Sequence, residues 1–352
     1  MKKKRVWLIV VILVVIGAII AGILMIPRNK EENTRKYKVQ HTRLTPLKKR
    51  ASVVIRRYEK DLFSINQEDL PGEVRKLSAQ YPDNLIQEGI WNDPQMMNQL
   101  KGYLNDPVIR DIYNEVMKVF PDLNRLQSEL EDALAHYLYY FPEEKIPSFY
   151  TLVPGIDFYM PSVYAIGNDL FIHLDMYLGT GHKFYDQYAI PRYISERFDP
   201  EFIGIDCFKK ALVYRHLTEE TRITLLDHMI YEGKKLYFTE LMFPQKEERL
   251  IIGYNKEKYD WAEKHHGDVW NYMIGKDQLF SKNDKEVTAY INESPFTKPF
   301  SNESPGRIGT FIGWKIVRNF MEHNPEVSLE ELMNMTDTQY ILNKSRYKPS
   351  RR

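Results

Sequence analysis

The sequence predicts an α+β fold, a mostly helical domain with a small antiparallel sheet, preceded by one transmembrane helix. Three observations carry that reading. The run VWLIVVILVVIGAIIAGILMI, from Val6 to Ile26, holds no charge. Apolar residues recur at helical spacing in several long stretches, as in Leu123, Leu126, Leu130, Leu134, Tyr137, Leu138 and Phe141. Two short runs, SVYAI and DLFIHLDMYL, flank Gly167-Asn168, a two-residue hairpin signal with glycine first.

As a helix, the Val6–Ile26 run would measure about 31 Å, against a hydrocarbon core of about 30 Å. A cleaved signal peptide would carry an apolar region of only about 7–15 residues. The expected organisation is a short cytoplasmic tail over residues 1–5 and a membrane span over 6–26. A basic juxtamembrane linker follows over 27–51, then a folded domain over 52–348. The linker is polar and contains Pro27 and Pro46.

Charge divides along the same line. The first fifty residues hold 13 Lys/Arg against 2 acids, and the rest hold 36 against 46. An acidic body lacks the basic face that nucleic-acid binding needs. Lys2, Lys3, Lys4 and Arg5 favour a cytoplasmic N-terminus, but basic residues also follow the span. Charge alone therefore leaves the orientation open. The single Cys207 can form no internal disulfide.

Within the body, SVVIRRYEKDLFSI opens the folded part at Ser52. Asp106-Pro107 is an N-cap with proline at the first helical position, starting a helix to about Val119. The helix carrying Leu123 to Phe141 follows, and FYTLV (149–153) reads as a strand. After the hairpin turn, Leu170, Ile172, Leu174 and Met176 share one strand face, while Phe171, His173, Asp175 and Tyr177 share the other. His173 and Asp175 could serve a site or occupy a solvated face.

Beyond Asp206 a short helix carries Phe208, Ala211, Leu212 and His216. A longer one is expected from Thr218, with Glu219 and Glu220 in its first turn. Its stripe is Ile223, Leu226, Ile230, Gly233, Tyr237 and Leu241. Residues 261–305 read as irregular and aromatic-rich. GTFIGWKIVRNFMEHNP then gives a helix in which Gly313 would let another backbone come close. Its buried stripe is Ile312, Ile316, Val317 and Phe320, with Trp314 and Arg318 toward the edge. SLEELMNM gives one more short helix.

The stretch ALVYRHLTEETRITLLDHMIYEGKKLYF (211–238) has the layout of a zinc peptidase of the gluzincin type. Such enzymes place two histidines four apart on one helix, a glutamate base beside the first, and a third ligand, glutamate, on the next helix. TLLDHMIYEGKKLYF resembles the second helix of such peptidases, which gives Glu232 the third-ligand position. His216 falls at the second histidine, Leu212 at the first and Val213 at the general base. Leu212 offers no lone pair and Val213 moves no proton. A missing base alone removes about 10²–10⁴-fold of assistance. His216 and Glu232 are thus vestigial metal-site positions. Their ordinary roles are a helix-end histidine and a partner for His228 or Lys235. No catalytic residue, metal or cofactor is expected.

The chain is similar to a known family, the gliding-motility lipoproteins of Bacteroidetes called GldB, over roughly residues 52 to 348. The likeness rests on RRYEKDLFSI (56–65), YFPEEKIPSFYTL (140–152), IHLDMYLG (172–179), EGKKLYFTE (232–240), IGYNKEKYDW (252–261) and SPFTKPFSNESPGRIGTFIGWKIVRNFM (294–321). The resemblance implies a cell-envelope protein of gliding or its associated secretion machinery, with the body on the periplasmic side. The family is named for a lipid-anchored cysteine; here no cysteine precedes Cys207, and a spanning helix stands in its place. The resulting expectation is a non-enzymatic, membrane-anchored protein with a degenerate zincin-like domain that binds an envelope partner. The alternative is a membrane-anchored zinc metallopeptidase using other residues. His173, Asp175, His228, Arg307 and Trp314 are the candidate cleft or partner residues. Arg307 follows the Pro305-Gly306 turn, and its guanidinium suits a carboxylate in the domain or on a partner.

Overall fold

The computed structural model describes residues 41–219 and 221–349. The tail, the Val6–Ile26 span and the linker up to residue 40 lie outside the described residues. Among those described, no helix is long and apolar enough to cross a membrane.

The folded part starts earlier than Ser52. Residues 41–51, expected as linker, include helix α1 (His41–Arg50), and Ala51 after it is fully buried. Lys48 pairs with Asp132, and Arg50 donates to the Pro142 carbonyl at 3.0 Å. These contacts hold a basic, proline-containing segment that composition alone reads as solvated.

Strand β1 (Ile55–Arg57) leads into α2 (Tyr58–Ser64) and α3 (Leu70–Ser78). Next come α4 (Pro94–Asn105), α5 (Pro107–Val119) and α6 (Asn124–Tyr140). Asp93 and Asp106 cap α4 and α5, each with proline at the first turn. Strands β2 (Ser148–Leu152), β3 (Val163–Ile166) and β4 (Asp169–His173) complete a sheet of order β1-β2-β4-β3.

The sheet is mixed, not antiparallel. The β3–β4 hairpin forms where Gly167-Asn168 predicts it, with Gly167 at φ +60. But β4, and not β3, lies beside β2, and it runs parallel to it with Tyr150 opposite Phe171. The β1–β2 pair is also parallel, joined by the crossover of α2 to α6. A hairpin's local sequence fixes its own pairing but not which of its strands meets a third.

Parallel strands need cover on both faces. Accordingly Leu170, Phe171, Ile172 and His173 are all buried, so no solvated face exists at His173 and Asp175. Phe171 stacks between Tyr150 (5.5 Å) and Tyr164 (5.1 Å). Leu62, Val74, Leu77, Met97 and Leu104, from α2, α3 and α4, cover this aromatic row. After β4 the chain leaves strand geometry, and Leu174–Tyr177 form a 3₁₀ turn.

The second half is helical. Single turns α7 (Lys183–Gln187) and α8 (Arg192–Ser195) precede α9 (Ile203–Asp206). A π segment (Cys207–Ala211) and a 3₁₀ turn (Leu212–Arg215) continue it. Helix α10 spans Leu225–Met242, seven residues later than the expected start at Thr218. Thr224 and Asp227 form a reciprocal capping box there, a stronger start signal than Thr218. Ile223 thus precedes the helix and is exposed, whereas Leu226, Ile230, Tyr237 and Leu241 are buried.

Next are α11 (Glu248–Ile252), α12 (Lys256–Gly275), α13 (Asp284–Ile291), α14 (Ile308–His323), α15 (Leu329–Asn334) and α16 (Thr338–Ser345). Helices α12 and α13 occupy much of the stretch expected to be irregular. They are capped by Asn255 and Asn283, and Ala262, Val269, Trp270 and Met273 make the buried face of α12.

Helices α10 and α14 cross at glycine. A Cβ on Gly313 would stand 1.8 Å from the Met229 carbonyl oxygen, and one on Gly233 would stand 2.5 Å from the Gly313 carbonyl. The close approach expected at Gly313 is therefore present, with Gly233 as its counterpart. Ile312, Ile316, Val317 and Phe320 are fully buried as expected. Trp314 and Arg318, expected at the edge, are also buried. Glu240 on α10 draws both inward, accepting from Trp314 Nε1 at 2.9 Å and Arg318 Nε at 2.8 Å.

Candidate functional site

The residues at the zinc-peptidase positions are each engaged by other partners. Leu212 and Val213 are fully buried. The backbone breaks from regular helix at Ala211 (φ −128, ψ −67), so Leu212 and His216 are not one α-helical turn apart. His216 stacks on Phe141 at 3.7 Å, and its Nε2 shares a hydrogen bond with the Tyr137 hydroxyl at 2.8 Å. Burial pushes this imidazole down to about 4. Glu232 instead pairs with Lys235 at 3.0 Å, which resolves its choice between Lys235 and His228. His228 is half-buried, and burial and Arg222 lower its pKa. Among the described residues, no group of three or more His, Cys, Asp or Glu is placed to hold a metal ion.

His173 and Asp175 lie at the C-terminal edge of the sheet. His173 meets Tyr164 edge-on at 5.5 Å, and burial pushes it down to about 4. Asp175 is fully buried, and desolvation pushes its carboxyl up to about 7. Its Oδ2 accepts from the Gly155 backbone N–H at 2.8 Å, while its Oδ1 has no hydrogen-bond partner. The bond pins the β2–β3 loop where it crosses the end of β4. Trp314 lies wholly inside the domain and offers no surface to a partner.

Arg307 is where the charged side chains gather. It takes a left-handed conformation (φ +60) just before α14, and the tight turn aims its guanidinium across the domain. Its terminal nitrogen donates to the Ile252 carbonyl at 2.8 Å, and its Nε meets Glu293 Oε1 at 3.0 Å. Arg197 Nη1 meets the same Glu293 oxygen at 2.8 Å. Gly253 makes the convergence sterically feasible, because a Cβ there would stand 2.8 Å from Arg197 Cδ. The Tyr254 ring lies under Arg307 at 5.6 Å, and its hydroxyl donates to the Gly306 carbonyl. Of the two placements foreseen for its carboxylate partner, the one inside the domain is occupied.

Behind the arginines stand two lysines that sequence reading overlooked. Asp206 pairs with Lys210 at 2.7 Å and lies 3.8 Å from Lys209. The i, i+3, i+4 spacing of Asp206, Lys209 and Lys210 was a legible signal for that cluster. Lys209 Nζ donates to the Ile251 carbonyl at 3.0 Å. Burial pushes Lys209 down to about 7, and the repulsion of Arg307, Arg197 and Lys210 adds to this against the pull of Asp206. For Asp206 burial acts upward, yet Lys210, Lys209 and Tyr177 outweigh it and hold the carboxyl below its ordinary range. Burial likewise acts upward on Glu293, but the four cations keep it low.

Ser162 completes this layer, accepting from Lys210 at 2.9 Å and lying 2.9 Å from the Tyr177 hydroxyl. Serine beside lysine and tyrosine has the look of a nucleophile with its base. Lys210, however, is ion-paired to Asp206, and an ammonium has no lone pair with which to take the serine proton. What the arrangement can do is hold negative charge.

A family model described as Gliding motility protein GldB matches residues 40–349. The chain belongs to the GldB family. The match begins at the start of α1, one more sign that the folded GldB unit includes that helix. No curated protein and no solved structure matches this GldB chain.

Proposed function

We propose that this GldB-family protein works without catalysis, as a cell-envelope component of gliding motility or its associated secretion machinery that holds another envelope protein. In this reading the body lies on the periplasmic side, tethered through Val6–Ile26. The zincin-like plan survives as chain order only, Leu212 to His216 ahead of Glu232, without ligand geometry. One observation carries the reading: every side chain at a peptidase position is committed elsewhere. Leu212 and Val213 are core, His216 is engaged by Phe141 and Tyr137, and Glu232 is engaged by Lys235.

The test is to assay the purified full-length protein for casein hydrolysis with and without zinc, and to crosslink it in cells of a gliding host. The expected result is no hydrolysis, with a reproducible crosslinked envelope protein that is absent from a strain lacking this chain. Chelator-sensitive cleavage that disappears in Glu232→Ala would overturn the proposal, as would a chain that crosslinks to nothing.

A further inference from the structure

The cluster around Arg307 carries more positive charge than it can balance. Among the described residues, Arg197, Lys209, Lys210 and Arg307 face only Asp206 and Glu293 at ion-pairing distance. The arrangement is also layered. Side chains of Lys209, Arg307 and Arg197 are 9 %, 12 % and 17 % exposed, whereas Glu293 is 37 % exposed. Lys209 and the two arginines form the floor, Lys210 reaches the surface at 35 % exposure, and the Glu293 carboxylate is the lid.

The lid fits imperfectly. Both arginines meet the same oxygen, Oε1, and Arg197 Nε is buried with no acceptor. A guanidinium prefers a carboxylate presented through both oxygens. Glu293, two residues beyond the end of α13, leaves Arg197 Nε without such a contact. It is also exposed, so its side chain can swing off the arginines while the connection to α14, tied by Thr297 Oγ1 to the Pro305 carbonyl at 2.6 Å, stays in place. Leaving the floor bare would strand buried cations at high cost. Glu293 can therefore leave only by exchange with another anion.

We infer that Arg197 and Arg307 form a receptor for a glutamate carboxylate on an acidic peptide segment of a partner protein, with Glu293 as its resident stand-in. The ligand class follows from the stand-in: a single carboxylate, borne on an extended Asn-Glu-Ser-Pro segment, seated on two arginines over the Tyr254 ring. An incoming carboxylate that uses both oxygens supplies the acceptor Arg197 Nε lacks. The inference rests on the partner-binding reading above and names the chemistry that such a partner would present.

The test uses the full-length protein and an acetylated peptide copying residues 292–297 of this chain. Glu293→Gln removes the resident charge and keeps the shape, so this variant is expected to bind the peptide at least tenfold more tightly than the native chain. The same peptide with glutamine for glutamate should show no gain, and Arg197→Gln added to Glu293→Gln should abolish it. Should Glu293→Gln fail to fold, Glu293→Asp keeps the charge but shortens the reach, and is expected to gain affinity in the same direction. No gain in the folding variant overturns the receptor, as does equal binding of the glutamine peptide. A response to inorganic phosphate without one to the peptide overturns the ligand class. If the peptide results fail while the crosslinked envelope protein is still recovered, only this inference falls. If the peptide binds but nothing crosslinks, the partner-binding reading falls.

Discussion

Helix α14 begins in one charged network and ends in another, and the two solve opposite problems. Near its C-terminal half, Arg318 and Lys315 face Glu240, Glu248 and Glu263. This network has surplus acid. At its start, the Arg307 cluster has surplus cation. The acid surplus is absorbed by neutral donors: Trp314 Nε1 gives to Glu240, and the Tyr259 hydroxyl contacts both Glu248 and Glu263. Arg318 also lies over the Trp314 ring at 3.8 Å. The cation surplus is met by the Ile251 and Ile252 carbonyls, the Ser162 hydroxyl, buried Asp206, a lysine pushed toward neutrality, and an exposed glutamate. Proteins have many neutral donors to satisfy a spare carboxylate and few neutral acceptors to satisfy a spare guanidinium. The first network is therefore closed at its carboxylates, although Arg318 Nη2, like Arg197 Nε, is a buried donor with no acceptor; the second, under an exposed glutamate, is open to exchange.

Truncation at each end should expose that difference most strongly. Arg318→Ala strands Glu240 inside the domain, and removing one partner of a buried pair costs about 3–5 kcal/mol. Arg197→Ala relieves part of a like-charge surplus, which offsets the lost pair with the exposed Glu293, and is expected to cost about 1 kcal/mol. Urea denaturation of both variants checks this. Equal losses would erase the distinction between a closed and an open network.

The networks should also differ in their response to pH. Lys209 has a folded pKa pushed down to about 7 from an ordinary value of 10.5. In the unfolded chain it binds a proton across that window, and in the folded chain it holds one less firmly. Stability from this group is therefore full above the unfolded value and is lost as pH falls through about 7. The closed network contributes no comparable change through Glu248, held down to about 2 by Arg318 and Lys315 against the effect of burial. Between pH 9 and pH 7 the native chain should lose about 2 kcal/mol relative to Lys209→Met. Parallel stability curves for the two proteins would show that Asp206 compensates Lys209 fully.

What could be read from sequence follows the range of the interactions. The Gly167-Asn168 hairpin, the Asp106-Pro107 helix start and the buried stripe of α14 are set by neighbours within a few residues, and each is where the sequence puts it. The pairing of β2 with β4 is not local. It depends on which strand of a hairpin fits beside a third, which period-two alternation does not encode. Helix α12 escaped notice because its buried face is spread among tyrosines, tryptophans and charges, although Asn255 marks its cap. At the candidate site, Arg307's need for a carboxylate was legible from its turn. Its partner Glu293 lay within reach in sequence, but Arg197 and the two lysines join the cluster only through folding. Trp314 was misplaced for a related reason: its inward turn depends on Glu240, seventy-four residues away.

The smallest expected effect is at Glu232, which lies on the margin of the open cluster. Its partner Lys235 is 13 % exposed and also lies near the rings of Tyr214 and Tyr231. Glu232 itself is 29 % exposed, so solvent screens much of the pair. Its charge also reaches Arg307, though well behind Glu293. Glu232→Ala should therefore cost no more than about 1 kcal/mol, and less than Arg197→Ala. Zinc titration by calorimetry should give the same trace for the variant and the native chain, because His216 is turned toward Tyr137 and Phe141, away from any ligand role. A zinc-binding heat present in the native protein and lost with Glu232 would move the functional centre back to the peptidase positions. It would leave the arginine cluster as ordinary scaffolding.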